Sequence, residues 1–401
     1  MKKSCLLLLV TAAVFTMFCN VCLHSQESAW TKLATLKDAP PFGLLAAANG
    51  KLYVVSGTTS ANSPTYEYDP DTDTWTTKAP IPQGCYWATA TVVNDEIIVM
   101  GGRIPQKPQN FNYIYNPQSN TWAIGADLLT PRNYHSAVAA NGKVYLMGGQ
   151  NGDGTTEWYF DEYDPSTDSW ARKAQMAHNG AWYCAAGELN GKVYRIAGGG
   201  ATPTLTRDHF DEYDPSTDTW TSLPNFNVKL HAPSCVTYNN KIYIMGGTTS
   251  GIDIDTVYVY SGSGAWTISS IKLPQPRTYH KTAILGDCVY LYGGQNGSEE
   301  FDGQLYRYCF ERQDVDYEAP AEAPVVVPNP TQGDFTVTLA GEPCTDINVS
   351  VTGMLGQPVG FHYSAFGNSF SISLEERIPG MYFVRVQNGS RVHCEKVLVS
   401  Q

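Results

Sequence analysis

Residues 134–170 read YHSAVAANGKVYLMGGQNGDGTTEWYFDEYDPSTDSW, and this stretch decides the fold. His135 to Ala140 is a run of small residues that predicts a strand. Asn141-Gly142 is a two-residue hairpin turn of the kind that matches strand twist. Lys143 to Met147 predicts a second, apolar strand that ends on Gly148-Gly149. After a loop, a third strand is expected around Tyr159 and Tyr163. Asp164-Pro165-Ser166-Thr167-Asp168 makes the next turn, and Trp170 opens a fourth strand. The unit is thus a four-stranded antiparallel meander.

The same punctuation recurs along the chain. Glycine doublets begin at residues 101, 148, 198, 246 and 293, in steps of 47, 50, 48 and 47, with a degenerate copy at Ser56-Gly57. Trp30, Trp75, Trp122, Trp170, Trp220 and Trp266 keep the same beat. A period of about 45–50 residues with this signature indicates a propeller blade. Doublets let backbones approach closely near a crowded centre. Six doublets and six tryptophans predict an all-β, six-bladed propeller. Trp30 has no blade of its own, and one strand (Gln304 to Phe310) with no tryptophan follows the last doublet. The N-terminal strand is therefore expected to complete the last blade, removing two free sheet edges. The carboxylates of Asp69, Asp71 and Asp73 superficially resemble a calcium loop, but the repeated turn reads as an Asx-type hairpin turn.

The chain has 401 residues and a formal net charge of −12, with 16% charged and 12% aromatic residues. That length accommodates two or three domains. The acidic balance argues against nucleic acid and anionic lipid as partners. Residues 1–25 read as a secretory signal peptide, with Lys2 and Lys3 ahead of the apolar run Leu6 to Phe18 and Ser25 before the cleavage site. Cys19 and Cys22 lack the small residues that usually precede a lipidated cysteine. Elsewhere no run approaches ~20 apolar residues, so no membrane span is expected. Residues 26–312 form the repeat region. The acidic, Pro/Ala-rich stretch 313–324 reads as a linker. Alternation in residues 334–339, 370–374 and 382–386 predicts a small β-sandwich over residues 325–401.

Asp164-Pro165-Ser166-Thr167-Asp168-Ser169-Trp170 and Asp211-Glu212-Tyr213-Asp214-Pro215, each in register with a doublet, resemble kelch repeats. The tail carries Pro328-Asn329-Pro330-Thr331 with Gly333, Gly353 to Val359, Pro379-Gly380-Met381-Tyr382 and Lys396-Val397-Leu398-Val399. These four pieces resemble the type A sorting domain of the type IX secretion system of Bacteroidetes, with Thr352 standing where an acidic residue is usual. The resemblance implies a tail read by the outer-membrane translocon, and export through the periplasm to the cell surface or extracellular space.

Propeller ligands usually meet loops at one mouth of the channel. One register there reads Phe42, Trp87, Tyr134, Tyr183, Ala232 and Tyr279, and the position before it holds Tyr86, Trp182 and His231. Such an aromatic ring suits sugar faces, or else plugs the funnel. Pro131-Arg132-Asn133-Tyr134-His135 matches Pro276-Arg277-Thr278-Tyr279-His280 in the opposed third and sixth blades. Arg132 and Arg277, with His135 and His280 nearby, are candidates to hold a carboxylate-bearing sugar, or else brace loops against neighbouring blades. His178 and His209 read as surface histidines, and Glu157, Asp161 and Asp211 are weaker candidates for a carboxylate pair. Neither a metal-ligand spacing nor a cofactor motif is present. Seven cysteines remain after the leader. Cys288 with Cys309, and Cys344 with Cys394, are candidate disulfides. The function expected is a binding module for glycan or protein ligands; the alternatives are an isomerase of the sialic-acid mutarotase kind, which the kelch resemblance admits, and a purely structural surface role.

Overall fold

The computed structural model describes residues 29–310 except 41, 106, 153–154, 156–157, 177, 179–181, 201–205 and 296–302. It also describes residues 325–400 except 328, 339–346, 354–358, 367–368 and 389–390. The expected leader and the 313–324 linker lie outside the described residues. The chain divides into two compact units, 1–310 and 311–401.

The first unit is built of six four-stranded antiparallel sheets. The third is typical, with strands Ser136–Ala140, Lys143–Met147, Phe160–Asp164 and Ser169–Arg172 in spatial order. Inner strands Leu44–Ala48, Thr89–Val93, Ser136–Ala140, Ala185–Leu189, Ser234–Tyr238 and Lys281–Leu285 touch in that order, and the last touches the first. The second strand of every sheet has a half-buried first residue and four buried ones after it. That pattern follows from sheets covered on both faces by their neighbours, where alternation gives way to continuous apolar runs. Large rings fill the space between sheets. Phe160 of the third sheet meets Tyr213 and Trp220 of the fourth at 4.6 and 4.8 Å between ring centres. In the sixth sheet, Thr31–Lys32 pairs antiparallel with Leu305–Cys309, Thr31 opposite Arg307. Cys288 and Cys309 face each other in the same sheet and form a disulfide. Cys344 and the side chain of Cys394 lie outside the described residues.

The backbone corrects the register of one repeat. In five sheets the second strand runs into two residues at φ near +60° and then +90° or more: Ser56-Gly57, Gly101-Gly102, Gly148-Gly149, Gly246-Gly247 and Gly293-Gly294. In the fourth sheet those angles fall on Ala197 (56°) and Gly198 (96°), not on Gly198-Gly199. The bridges agree: Gly199 pairs with Trp182 as Gln150 pairs with Asn133. A methyl group is tolerated at the first position, in the left-handed region, whereas the second admits glycine alone in all six copies. A side chain on Gly149 would meet Asn133 O at 2.6 Å.

The second unit has one sheet ordered Val325–Val327, Asp334–Thr338, Ser369–Leu374, Phe361–Phe366, and another ordered Ile347–Gly353, Gly380–Asn388, Arg391–Val399. Phe335, Val337, Val351, Phe370, Ile372, Val384 and Val397 are among the residues of their shared core. The first and last signature pieces of this tail are zipped together. Asn329 donates through Nδ2 to Lys396 O and accepts from Leu398 N, both at 2.9 Å, and Thr331 N donates to Leu398 O at 2.8 Å.

Candidate functional site

Residues immediately ahead of the inner strands converge on the channel. Trp87, Tyr134, Tyr183, Ala232 and Tyr279 all adopt left-handed backbone, with φ of 54°, 61°, 52°, 50° and 60°. Non-glycine residues rarely occupy this region, and bulky ones do so only where surrounding structure enforces it. Here main-chain hydrogen bonds between sheets supply that enforcement. Tyr134 N donates to Trp87 O (3.1 Å), Tyr183 N to Tyr134 O (2.9 Å) and Tyr279 N to Ala232 O (3.2 Å). The side chains then follow one another around the rim. Ring centres lie 5.7 Å apart from Phe42 to Trp87, 4.8 Å to Tyr134 and 4.8 Å to Tyr183. The ring of Tyr183 reaches that of Tyr279 at 5.0 Å, past the small Ala232. The result is an aromatic belt in the separations that favour tilted and edge contacts.

Tyr86, Trp182 and His231 stand behind the belt and buttress it. Tyr86 packs on Phe42 at 5.2 Å, Trp182 on Tyr134 at 5.3 Å, and His231 on Tyr183 at 5.1 Å. Burial pulls His231 down to about 4, so it is a neutral spacer at ordinary pH.

Below the belt lies a cavity of about 160 Å³ lined by the rim residues and the first residues of the inner strands. His135 and His280 are in its wall but are buried and tied down. His135 Nε2 contacts Met100 O at 3.1 Å and His280 Nε2 contacts Ser234 Oγ at 2.8 Å, each in the preceding sheet. Burial, and then the Arg132 charge, holds His135 down to about 3; His280 is lowered well below its ordinary range by burial and Arg277. Both are neutral braces rather than proton carriers near neutral pH.

Arg132 and Arg277 do not line the cavity, which corrects the expectation of an opposed cationic pair. Arg132 is wholly buried and pairs with the equally buried Asp161 at 2.5 Å; Asp161 is shared with Arg172. Arg277 is buried too, donating to Gly293 O at 2.6 Å and lying over the Tyr306 ring at 5.1 Å. A buried guanidinium needs such partners, because unpaired burial of a charge is costly. The carboxylates separate in the same way. Asp211 pairs with Arg195 at 2.8 Å and accepts from Ser222 at 3.0 Å, while Glu157 lies outside the described residues. His178 joins that cluster at 2.9 Å from Asp211 and stacks on His209 at 4.0 Å.

Two cations at the channel escaped the sequence reading. Arg103, immediately after Gly101-Gly102, places its positive charge near the Tyr134 hydroxyl. Lys281, the first residue of the sixth inner strand, lines the cavity itself. Its equivalents in the other sheets are Leu44, Thr89, Ser136, Ala185 and Ser234. An alignment column holding one charge among uncharged residues was the available signal.

Three profile matches describe the chain. The KLHDC2/KLHL20/DRC7 Kelch-repeats domain matches residues 44–234, the Kelch motif matches 230–268, and the Secretion system C-terminal sorting domain matches 325–400. The chain carries kelch repeats ahead of a secretion sorting domain. Among curated relatives of the kelch region, Kelch-like protein 23 of Mus musculus is 31% identical over 87 residues, covering 21% of this chain and 15% of that one. Kelch domain-containing protein 7A of Mus musculus is 33% identical over 85 residues, covering 21% and 11%. The kelch matches thus span only a small part of those relatives. The structure titled "Structure of YjhT" superposes with a TM-score of 0.61 at 18% identity, covering 70% of this chain and 98% of that one. At that identity the likeness shows the fold alone. The sorting domain marks the kelch propeller for type IX export to the cell surface or extracellular space. No helix among the described residues is long and apolar enough to cross a membrane.

Proposed function

We propose that the exported kelch propeller is a binding module that takes a glycan or protein ligand at its aromatic mouth. The observation that carries this reading is the aromatic belt from Phe42 to Tyr279, whose members from Trp87 onward are held in left-handed backbone by hydrogen bonds between sheets. Strain of this kind is kept where surrounding structure over-determines it and concentrates at ligand clamps. Ring faces with hydroxyl tips suit sugars, whose C–H faces stack while their hydroxyls hydrogen-bond. The cavity below is about 160 Å³, close to the ~150 Å³ that holds a single benzene ring. A whole oligosaccharide therefore rests on the rim, and only a terminal group enters.

An isomerase of the mutarotase kind would need a cationic anchor and a group that moves protons at the site. The burial of Arg132 and Arg277, and the low basicity of His135 and His280, weigh against these four residues in those roles. A purely structural surface role remains the other alternative. Glycan-array binding by the full chain and by Tyr134→Ala tests the reading. We expect binding that the variant weakens at least tenfold. A chain that binds no glycan in any presentation loses the sugar reading and leaves a protein ligand or a structural surface.

A further inference from the structure

Lys281 is the charged residue of the cavity wall, which contains no carboxylate. The wall otherwise offers the hydroxyl-bearing Thr89, Ser136, Ser234 and Thr282, the rim tyrosines, His135 and His280, and apolar or thiol side chains. No ion pair or hydrogen bond of the Lys281 amine occurs among the described residues. Lys281 lines the cavity beside His280, and its charge reaches both His280 and His135 of the third sheet. Lys281 is half-buried, and three wall atoms are buried without a hydrogen-bond partner among the described residues: Thr282 Oγ1, His135 Nδ1 and His280 Nδ1. Native structures rarely leave buried polar atoms or charges unsatisfied, and those that remain call for an explanation such as a ligand, ion or water.

We propose that the cavity is an anion subsite in which Lys281 pairs with a small carboxylate, either a free acid or the acidic terminal group of a ligand held on the rim. The proposal deepens the binding reading above. Size and charge both fit. The space admits a small organic anion but little more, and a chain of net charge −12 has placed a cation with no carboxylate beside it at this point. A carboxylate there supplies the acceptor that the ammonium lacks, in surroundings where a charge-assisted bond is stronger than in water. Arg103, whose charge acts on the rim residue Tyr134, adds a second positive group nearby.

Such a subsite has a distinctive pH response. Burial alone pulls the Lys281 amine down to about 8. The other titratable groups facing it stay fixed across the same range. His135 is held down to about 3 and His280 well below its ordinary value. Burial raises Tyr134 and Cys184, lifts Tyr183 well above its ordinary value, and pushes Cys235 and Tyr279 up to about 12. Between pH 6.5 and 9.5, therefore, Lys281 alone changes charge, and the subsite is competent on the acid side.

Acetate titration of the full chain at pH 6.5 and 9.5, followed by calorimetry, tests this. We expect affinity at least tenfold weaker at pH 9.5 and no binding by Lys281→Met. In parallel, amine labelling of the wild type near pH 8.5, read at Lys281 by mass spectrometry, should slow when acetate is added. That second measurement stands even if the variant fails to fold. Acetate binding that is equal at both pH values, binding retained in Lys281→Met, or labelling indifferent to acetate would overturn the proposal. A glycan that binds the wild type and Lys281→Met equally, with no acetate effect, would sink the anion subsite alone. A response to acetate without any glycan binding would leave the subsite standing and remove the sugar from the rim. Acetate protection together with tighter glycan binding below pH 8 marks an acidic ligand terminus, whereas acetate protection with pH-independent glycan binding marks a free acid.

Discussion

At the scale of single residues, the propeller depends on backbone angles that side chains normally avoid. The first position of each doublet sits near φ +60° and tolerates Ser56 and Ala197; the second sits at +90° or more and is glycine throughout. Two substitutions should therefore move in opposite directions. Ala197→Gly relieves a left-handed alanine and should leave stability unchanged or raise it by up to ~1 kcal/mol. Gly149→Ala, with Asn133 O and His135 Cβ at 2.6 and 2.8 Å from the added carbon, should cost at least about 2 kcal/mol. Urea unfolding midpoints compare them directly, and an equal effect from both would undo this account. The same angles explain why the fourth doublet was misplaced by one residue in the sequence. Three consecutive glycines, Gly198 to Gly200, hid the register, and only the backbone showed that Ala197 takes the first seat.

At the scale of elements, the recurring Tyr-Asp-Pro turn and its tryptophan form a clasp between sheets. Asp168 accepts from the Tyr163 hydroxyl and from Ala126 N, both at 2.7 Å. Trp170, two residues on, donates from its indole to Ala126 O at 2.9 Å. One alanine of the preceding sheet is thus held at both its N–H and its C=O. The arrangement repeats with Asp73 and Trp75 on Ala34, Asn120 and Trp122 on Ala79, and Asp218 and Trp220 on Ala174. Trp266 follows a divergent turn, and its indole nitrogen is buried without a partner among the described residues. Trp170→Phe should cost about 1 kcal/mol for its hydrogen bond, and Asp168→Ala about 1–2 kcal/mol for the two hydrogen bonds it accepts. Because both grip Ala126, a double-mutant cycle should show coupling above about 0.5 kcal/mol. Strict additivity would mean that the two bonds act independently. The motif itself was plain in the sequence, because turn residues and a lone tryptophan recur at fixed offsets. Its mechanical role was not, since the clasped alanines obey no local pattern.

At the scale of the whole molecule, periodicity carried most of the architecture, because a repeat announces its own boundaries. The site was less legible. The rim aromatics lay in a register that the hairpin turns define, so their meeting at one rim was legible. Arg132 and Arg277 were misplaced because a repeated motif shows equivalence but not direction, and their partners Asp161 and Gly293 are distant in sequence. Lys281 was passed over because a single charge at the start of a strand looks like an ordinary solvated end. Deleting residues 29–32 removes Thr31–Lys32 and uncovers Leu305–Cys309 as a free edge. The shortened protein should self-associate through that edge, which size-exclusion chromatography against the full chain would detect; a monomer of unchanged thermal stability would show that the pairing contributes nothing.

The pairing of Thr31 with Arg307 also has a consequence in time. Each of the other five sheets is a meander of neighbours that can assemble as soon as its own residues are available. The sixth cannot, because one of its strands lies at the opposite end of the propeller sequence. Contacts of such long range are slow to form, since the intervening chain must be ordered before they reward it. Closing the circle is therefore a late event in folding, and until then the N-terminal strand is a loose end.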